Sequence, residues 1–202
     1  WIKSIIIYTY CSPEYFTNEN KLRKKDVLDI GCGRGEDIMK FYHSRVKKYV
    51  GIDIDYEGIN SSIDGAISRY NNLKSKFPDF VNSVFIQADG SLNLNTKSQS
   101  QRFSNSSDEN MVKIKDNFEK SNKYDIFNAM FSFNYLVQNK DSINNLIKNI
   151  DNLLLNNGYF LLTVFDTSKV ESLLKNKDVY TSFYTDDNGS REKLFEIKKS
   201  NK

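Results

Sequence analysis

The 202-residue sequence predicts an α/β fold: a mostly parallel twisted sheet with helices on both faces and an antiparallel hairpin at one edge. Three observations carry this. Val27-Leu28-Asp29-Ile30 is a short apolar run ending on the loop Gly31-Cys-Gly-Arg-Gly35, after which Ile38, Met39, Phe41 and Tyr42 follow helical spacing; this is the opening of a βαβ unit. Further apolar runs at residues 49–53, 84–88, 124–133 and 159–164 alternate with helical stretches. Asp187-Asn-Gly189, between residues 180–184 and 194–197, is a hairpin signal.

Taken in order, the chain begins on Trp1 without an initiator methionine and reads as a piece of a longer polypeptide. Trp1, Ile5 and Tyr8 share a helical face, expected to cover the sheet edge near the glycine loop. Ser12-Pro13-Glu14 opens a loop or short helix, and residues 18–25 form a polar connection into the first strand. Residues 58–73 are expected as one helix with Ile59, Ile63, Ile67 and Tyr70 inward, ended by Phe77-Pro78. Asp89-Gly90 closes the third strand. The Ser/Asn/Gln-rich stretch 93–110 has no period and reads as a polar surface insertion within a single domain over 1–202. Residues 111–119 form a short helix, and Asn134-Tyr135 follow the fourth strand. Residues 143–155 form an amphipathic helix with Ile143, Leu146, Ile147, Ile150, Leu153 and Leu154 inward. Asn157-Gly158 breaks it before the fifth strand, and residues 170–174 belong to a further helix.

Composition narrows the function classes. With 39% hydrophobic and 27% charged residues the chain is a globular domain with a real core. A net charge of +3 is too small to argue nucleic-acid binding by itself. Two cysteines, Cys11 and Cys32, give neither a disulfide framework nor a metal spacing, which suits a reduced, intracellular chain. The single histidine, His43, at the end of the first loop-following helix, leaves little room for histidine-based metal or triad chemistry. No stretch reaches a membrane-spanning length.

The loop's spacing points to a ligand. A dinucleotide fingerprint is G-x-G-x-x-G; here the order is G-x-G-x-G, with Glu36 and Asp37 where a pyrophosphate would want no carboxylate. A second acid, Asp53, ends the next strand where a ribose-binding carboxylate belongs. The pair resembles motifs I and II of the class I S-adenosylmethionine methyltransferases, a Rossmann-like family whose cofactor carries ribose and adenine but no phosphate. The bland alternative is an ordinary βα turn with no ligand.

A longer ordered set is more specific. Trp1-Ile-Lys-Ser4, Leu28–Gly35 with Asp37, Arg69-Tyr70, Ala88-Asp89, Tyr124-Asp-Ile, Met130-Phe131 and Tyr135 resemble the mRNA cap guanine-N7 methyltransferases. The wording of Val50-Gly-Ile-Asp-Ile-Asp55, Asp64–Asn71 and Phe165-Asp166 with Tyr184-Thr-Asp is most similar to the methyltransferase domains of large cytoplasmic DNA virus capping enzymes. The resemblance implies that Lys3 pairs with the methionine carboxylate of S-adenosylmethionine; a solvated or snorkelling lysine is the other reading. It implies that Asp53 accepts both ribose hydroxyls and Asp89 the adenine amino group, although Asp89-Gly90 also reads as a plain turn. Asp37 orders the glycine loop or contacts the cofactor's amino group, and Gly31, Gly33, Gly35, Ile54, Gly90 and Met130 complete the cofactor set.

On the acceptor side, Arg34 and Arg69 are implied to face the triphosphate bridge, Arg69 being otherwise a solvent-facing helix residue. Phe131 and Tyr135 are implied to bracket the guanine, the alternative being core aromatics, with Asn134 at the guanine edge. The chain departs from the family at Met130, where glutamine is usual, and at Asn134, where histidine is usual; Met130 cannot replace an amide. The chain also stops soon after Ile197, before further cap contacts of the family.

Guanine N7 carries a lone pair at neutral pH, so no general base and no metal is expected and catalysis is by positioning. The implied partners are the capped mRNA 5′ end and triphosphatase or guanylyltransferase domains of the same polypeptide or complex. The implied setting is cytoplasmic for a viral type and nuclear for a cellular one. Rival readings are a methyltransferase with another acceptor and a methyltransferase-like regulatory or scaffold subunit.

Overall fold

A short antiparallel pair, β1 (Glu14–Phe16) and β2 (Lys21–Arg23), precedes the central sheet in the computed structural model, which describes residues 1–16 and 21–199. Residues 18–20 of the expected polar connection lie outside the described residues. The central sheet consists of β3 (Asp26–Ile30), β4 (Lys48–Asp53), β5 (Asn82–Gln87), β6 (Tyr124–Met130) and β7 (Leu154–Thr163). Its order is β5-β4-β3-β6-β7 and every pairing is parallel. The chain steps outward from β3 to β5, then crosses to the far side of β3 to lay down β6. That reversal leaves a crevice above the carboxyl ends of β3 and β6, where open α/β sheets bind ligands.

The two faces bury separate apolar layers. On one face Ile7 and Cys11 of α1 (Ile2–Cys11), and Ile38 and Phe41 of α2 (Ile38–His43), pack with Val27, Tyr49, Ile126 and Met130. Ile59 of α3 (Tyr56–Asn60) and Ala66 of α4 (Ala66–Lys76) join them. On the other face lie α5 (Thr96–Arg102), α6 (Asp108–Ile114) continued by a π-helical turn over Lys115–Glu119, α7 (Phe133–Leu136) and α8 (Lys140–Leu153). There Ile114, Phe118, Leu136, Leu146 and Leu153 cover Leu28, Val50, Ile52, Ile86 and Phe127. Every residue of β6 is buried, as expected of an inner parallel strand. An Asn139–Ser142 capping box starts α8, a device worth about 1 kcal/mol.

The described residues fall into two compact units, one up to Val164 and one from Phe165 onward. The second contains α9 (Thr167–Leu173) and the antiparallel strands β8 (Val179–Thr185) and β9 (Arg191–Lys198). The hairpin expected at the sheet's edge thus forms a two-stranded sheet of its own. Its turn is held by Asp186 Oδ1, which accepts the N–H groups of Asn188 and Ser190. No helix among the described residues is long and apolar enough to cross a membrane.

Several local expectations are corrected. Trp1, Ile5 and Tyr8 face outward, Trp1 at 91% exposure, because α1 turns Ile7 and Cys11 to the sheet. The single helix expected over 58–73 is broken between α3 and α4, leaving Ile63 at 88% exposure. Asp55 caps α3, and the turn at Gly65 is so tight that a Cβ there would lie 2.6 Å from the carbonyl of Ser61. Ile143 and Ile147 are exposed on α8. The stretch 93–110, expected without periodic structure, contains α5, capped by the Asn95 side chain and anchored by the fully buried Gln99.

Candidate active site

The site begins where β3 becomes the glycine loop. The backbone N–H groups of Gly31 and Cys32 both donate to Ile52 O, at 2.8 and 3.0 Å, extending the ladder to β4 past the strand end. Gly31 has φ +78°, and a Cβ there would sit 2.4 Å from that of Ser132, so only glycine fits the contact. Gly33 and Gly35 also adopt positive φ. Ser132 donates from Oγ to Ile30 O at 2.5 Å, tying the end of β6 to that of β3. Asp53, at the end of β4, accepts from Gly33 N–H through Oδ2 at 2.8 Å and from Asp55 N–H through Oδ1 at 2.9 Å.

A cleft of about 470 Å³ opens above these ends, a volume typical of small-ligand sites. Gly31, Asp53, Ile54, Asp89, Gly90, Met130, Phe131 and Tyr135 line it, so the structure brings together eight of the expected residues. Carboxylates stand at Asp53 and Asp89, while Ile30, Ile54, Ala88, Met130 and Leu136 supply apolar wall. These carboxylate acceptors, one of them paired with Arg102, disfavour phosphate and suit a nucleoside carrying hydroxyl and amino donors, so the residues fit S-adenosylmethionine. Asp89 is itself held: Oδ1 accepts the N–H and O–H of Ser91, and Oδ2 accepts from Arg102 Nε.

Lys3, Gly33, Gly35, Asp37, Arg34, Arg69 and Asn134 do not line the cleft. Lys3 comes from α1 and bonds Asp37 Oδ2 at 2.6 Å, while Lys40 bonds Oδ1 at 2.7 Å. Burial by itself would raise the Asp37 carboxyl, but these two lysines hold it below its ordinary value. Lys3 Nζ also lies 5.7 Å from the centre of the Phe131 ring, which links the helix to the cleft's far wall. Arg34 forms an ion pair with Asp64, and Arg69 Nε donates to the Arg34 carbonyl at 2.9 Å. The Arg69 guanidinium is thus held against the backbone of the glycine loop at Arg34, while the Arg34 guanidinium turns to Asp64.

At the end of β6 the backbone turns sharply. Phe131 has φ +61°, rare for a side chain of this size, and its N–H donates to Thr163 O at 3.1 Å and Thr163 Oγ1 at 3.0 Å. The turn ends the strand at Met130, three residues earlier than the apolar run suggests, and presents Phe131 and Tyr135 at 41% and 68% exposure. Met130 is buried and Asn134 is exposed.

Below the loop Asp29 is buried, accepting from Tyr49 Oη at 2.6 Å and Asn128 Nδ2 at 2.7 Å. Burial raises its carboxyl to about 6, against the lowering effect of those two bonds. Gln99, Arg102, Ser132 and Thr163 also serve the site and were not anticipated. Gln99 and Arg102 lie in a polar stretch without period, so no spacing in the sequence marks them.

Residues 1–188 match the mRNA (guanine-N(7))-methyltransferase domain family. A probable mRNA-capping enzyme of Acanthamoeba polyphaga mimivirus is 39% identical over 199 residues, covering 98% of this chain and 16% of that protein. An mRNA cap guanine-N(7) methyltransferase of Caenorhabditis briggsae is 27% identical over 176 residues, covering 87% of this chain and 40% of that protein. A protein of the same description from Cryptococcus neoformans is 28% identical over 164 residues, covering 81% and 22%. The chain thus spans less than half the length of each of these relatives.

Proposed function

The chain belongs to the mRNA (guanine-N(7))-methyltransferase domain family, and from this we propose that it transfers the methyl group of S-adenosylmethionine to N7 of the guanosine cap of mRNA. One observation carries the reading: a single cleft has Asp53, tied to the glycine loop, on one wall and the exposed aromatics Phe131 and Tyr135 on another. Cofactor and acceptor ring can therefore meet in one cavity. The two units are read as parts of one methyltransferase domain, because the family match crosses their boundary.

In this reading Asp53 accepts the ribose hydroxyls with its remaining lone pairs, and Asp89 accepts the adenine amino group. Ile54 and Met130 flank the base, and Gly90 keeps the wall low beside Ile30. Lys3 meets the methionine carboxylate, with Asp37 beside it for the amino group, and Gly31, Gly33 and Gly35 let the backbone close on the tail. Arg34 and Arg69 face the triphosphate bridge, Arg34 exchanging its Asp64 partner for phosphate. Phe131 and Tyr135 bracket the guanine, and Asn134 reads its edge. S-adenosylmethionine, when bound, supplies an electrophilic methyl on a sulfonium that leaves readily. The residues supply alignment and no proton transfer, since N7 already offers its lone pair; His43, exposed at the end of α2, stands outside the cleft. Other capping steps fall to further domains of the same polypeptide or complex, consistent with the small share of the mimivirus protein that is matched.

Calorimetric titration with S-adenosylmethionine, then with a cap analogue in saturating S-adenosylhomocysteine, tests the proposal. Both are expected to bind. Cofactor binding without cap binding would favour the second reading, a different acceptor or a scaffold role, which Met130 and Asn134 support by departing from the family. Failure of S-adenosylmethionine to bind would overturn the cofactor assignment.

A further inference from the structure

α5 is wired to the cleft at Asp89. Gln99 Oε1 accepts from Asp89 N–H at 2.9 Å, and its Nε2 donates to the carbonyls of Asp89 and Asn93 at 3.0 and 3.1 Å. With Ser91 holding Oδ1, the Asp89 carboxylate keeps its place whatever happens at Oδ2. Arg102, three residues beyond Gln99 on the same helix, approaches Oδ2 through Nε at 3.4 Å with its side chain 53% exposed. Such a long, half-solvated contact is easily broken. Arg102 lines the cleft and also a neighbouring cavity of about 580 Å³, whose walls include Gln87, Asn105, Glu109 and Asn110. Glu109, which also pairs with Lys113, and the amide oxygens of Gln87 and Asn105 can receive a guanidinium that leaves Asp89.

We propose that Arg102 is a specificity-determining residue of the cofactor site, occupying Asp89 Oδ2 until an adenine amino group takes its place and then turning into the neighbouring cavity. The proposal rests on the reading of Asp89 as the adenine acceptor. A purine with an amino group at position six replaces the donor that Arg102 supplied. A purine with a carbonyl there presents Asp89 with an acceptor at position six in place of that donor, and the carbonyl instead accepts from Arg102 where it stands. Removing Arg102 therefore acts in opposite directions on the two.

The test is calorimetric titration of the 202-residue chain, wild type, Arg102→Ala and Arg102→Met, with S-adenosylhomocysteine and with S-inosylhomocysteine. Arg102→Met keeps an apolar stem and removes only the charged head. Both variants are expected to bind S-adenosylhomocysteine about two- to fivefold more tightly, the scale of one exposed ion pair, and S-inosylhomocysteine more weakly. Weaker binding of S-adenosylhomocysteine would overturn the proposal, because Arg102 would then hold the cofactor. Shifts of the same sign for both ligands would overturn it too, assigning Arg102 a structural role. If wild type binds neither, the cofactor reading falls and this proposal with it.

Discussion

Gly33 donates its backbone N–H to Asp53 Oδ2 across 2.8 Å, so the carboxylate that ends β4 also fixes the loop that follows β3. Asp55 N–H takes the other oxygen. An ionised carboxylate has about four acceptor positions, so two remain for a vicinal diol.

Asp53→Asn puts a donor where one of these acceptors stood. Bonds to a charged partner contribute about 1.5–3 kcal/mol, so affinity for S-adenosylhomocysteine is expected to fall at least about tenfold. Titration calorimetry checks this, with circular dichroism to confirm the fold. Unchanged affinity would restrict Asp53 to holding the loop.

Gly31 and Gly33 separate two costs of adding a methyl group. Both have positive φ, but a Cβ at Gly31 meets Ser132 at 2.4 Å, whereas one at Gly33 meets nothing within 4 Å. Gly33→Ala is expected to cost about 1–2 kcal/mol for left-handed backbone. Gly31→Ala is expected to cost about 1–3 kcal/mol more, through overpacking. Urea denaturation of both variants measures the difference, and equal midpoints would contradict it.

The sequence made the sheet and its carboxyl-end cleft legible because parallel strands read as unbroken apolar runs, and because a glycine loop and a spaced acid are local patterns. Asp53 and Asp89 could be placed from strand ends alone. Gln99 and Arg102 could not, since their role arises when a polar helix folds back onto Asp89, and no period records that. The break at Gly65 was hidden because Ile59, Ile63 and Ile67 keep helical spacing through it. Trp1, Ile5 and Tyr8 misled for a related reason: α1 is apolar on more than one side, so spacing did not say which face meets the sheet. The places of Arg34 and Arg69 depend on the Asp64 ion pair and on a backbone carbonyl, which a residue list does not show.

Asp29 predicts a pH dependence. Its carboxyl is raised in the folded chain from 3.8 to about 6, chiefly by burial. Between about pH 4 and pH 6 the native state therefore binds a proton that the unfolded state has released, and this group's contribution makes stability fall as pH rises through that window. Asp29→Asn, which keeps an oxygen for Tyr49 or Asn128, is expected to remove that slope. Denaturant midpoints measured at pH 4, 5, 6 and 7 would show it, and an identical wild-type and variant pH profile would rule it out.

Lys3 holds Asp37 at 2.6 Å beside the Phe131 ring, placing an ammonium where the cofactor's amino-acid tail is proposed to lie. Lys3→Met keeps most of the stem and leaves Asp37 paired with Lys40. Affinity for S-adenosylhomocysteine is expected to drop by about tenfold, a charge-assisted bond of about 1.5 kcal/mol. Affinity for 5′-methylthioadenosine, which has no such tail, should stay unchanged. A parallel loss for both ligands would make Lys3 a structural residue.

Phe131 allows ring and backbone to be tested apart. Its φ of +61° costs a non-glycine residue about 1–2 kcal/mol, and the N–H bonds to Thr163 enforce it. Phe131→Gly relieves that strain and removes the ring, whereas Phe131→Ala keeps the strain and also removes the ring. The glycine variant is expected to be more stable than the alanine variant by about 0.5–1 kcal/mol, since glycine's larger unfolded-state entropy offsets part of the relief. Both should bind a cap analogue at least about tenfold more weakly, because a stacked base contributes about 1–3 kcal/mol. Both should retain S-adenosylhomocysteine, as the ring is proposed to serve the acceptor alone. A glycine variant that binds the cap analogue as well as wild type would remove Phe131 from the acceptor site and leave it as the residue that turns the chain from β6 into α7.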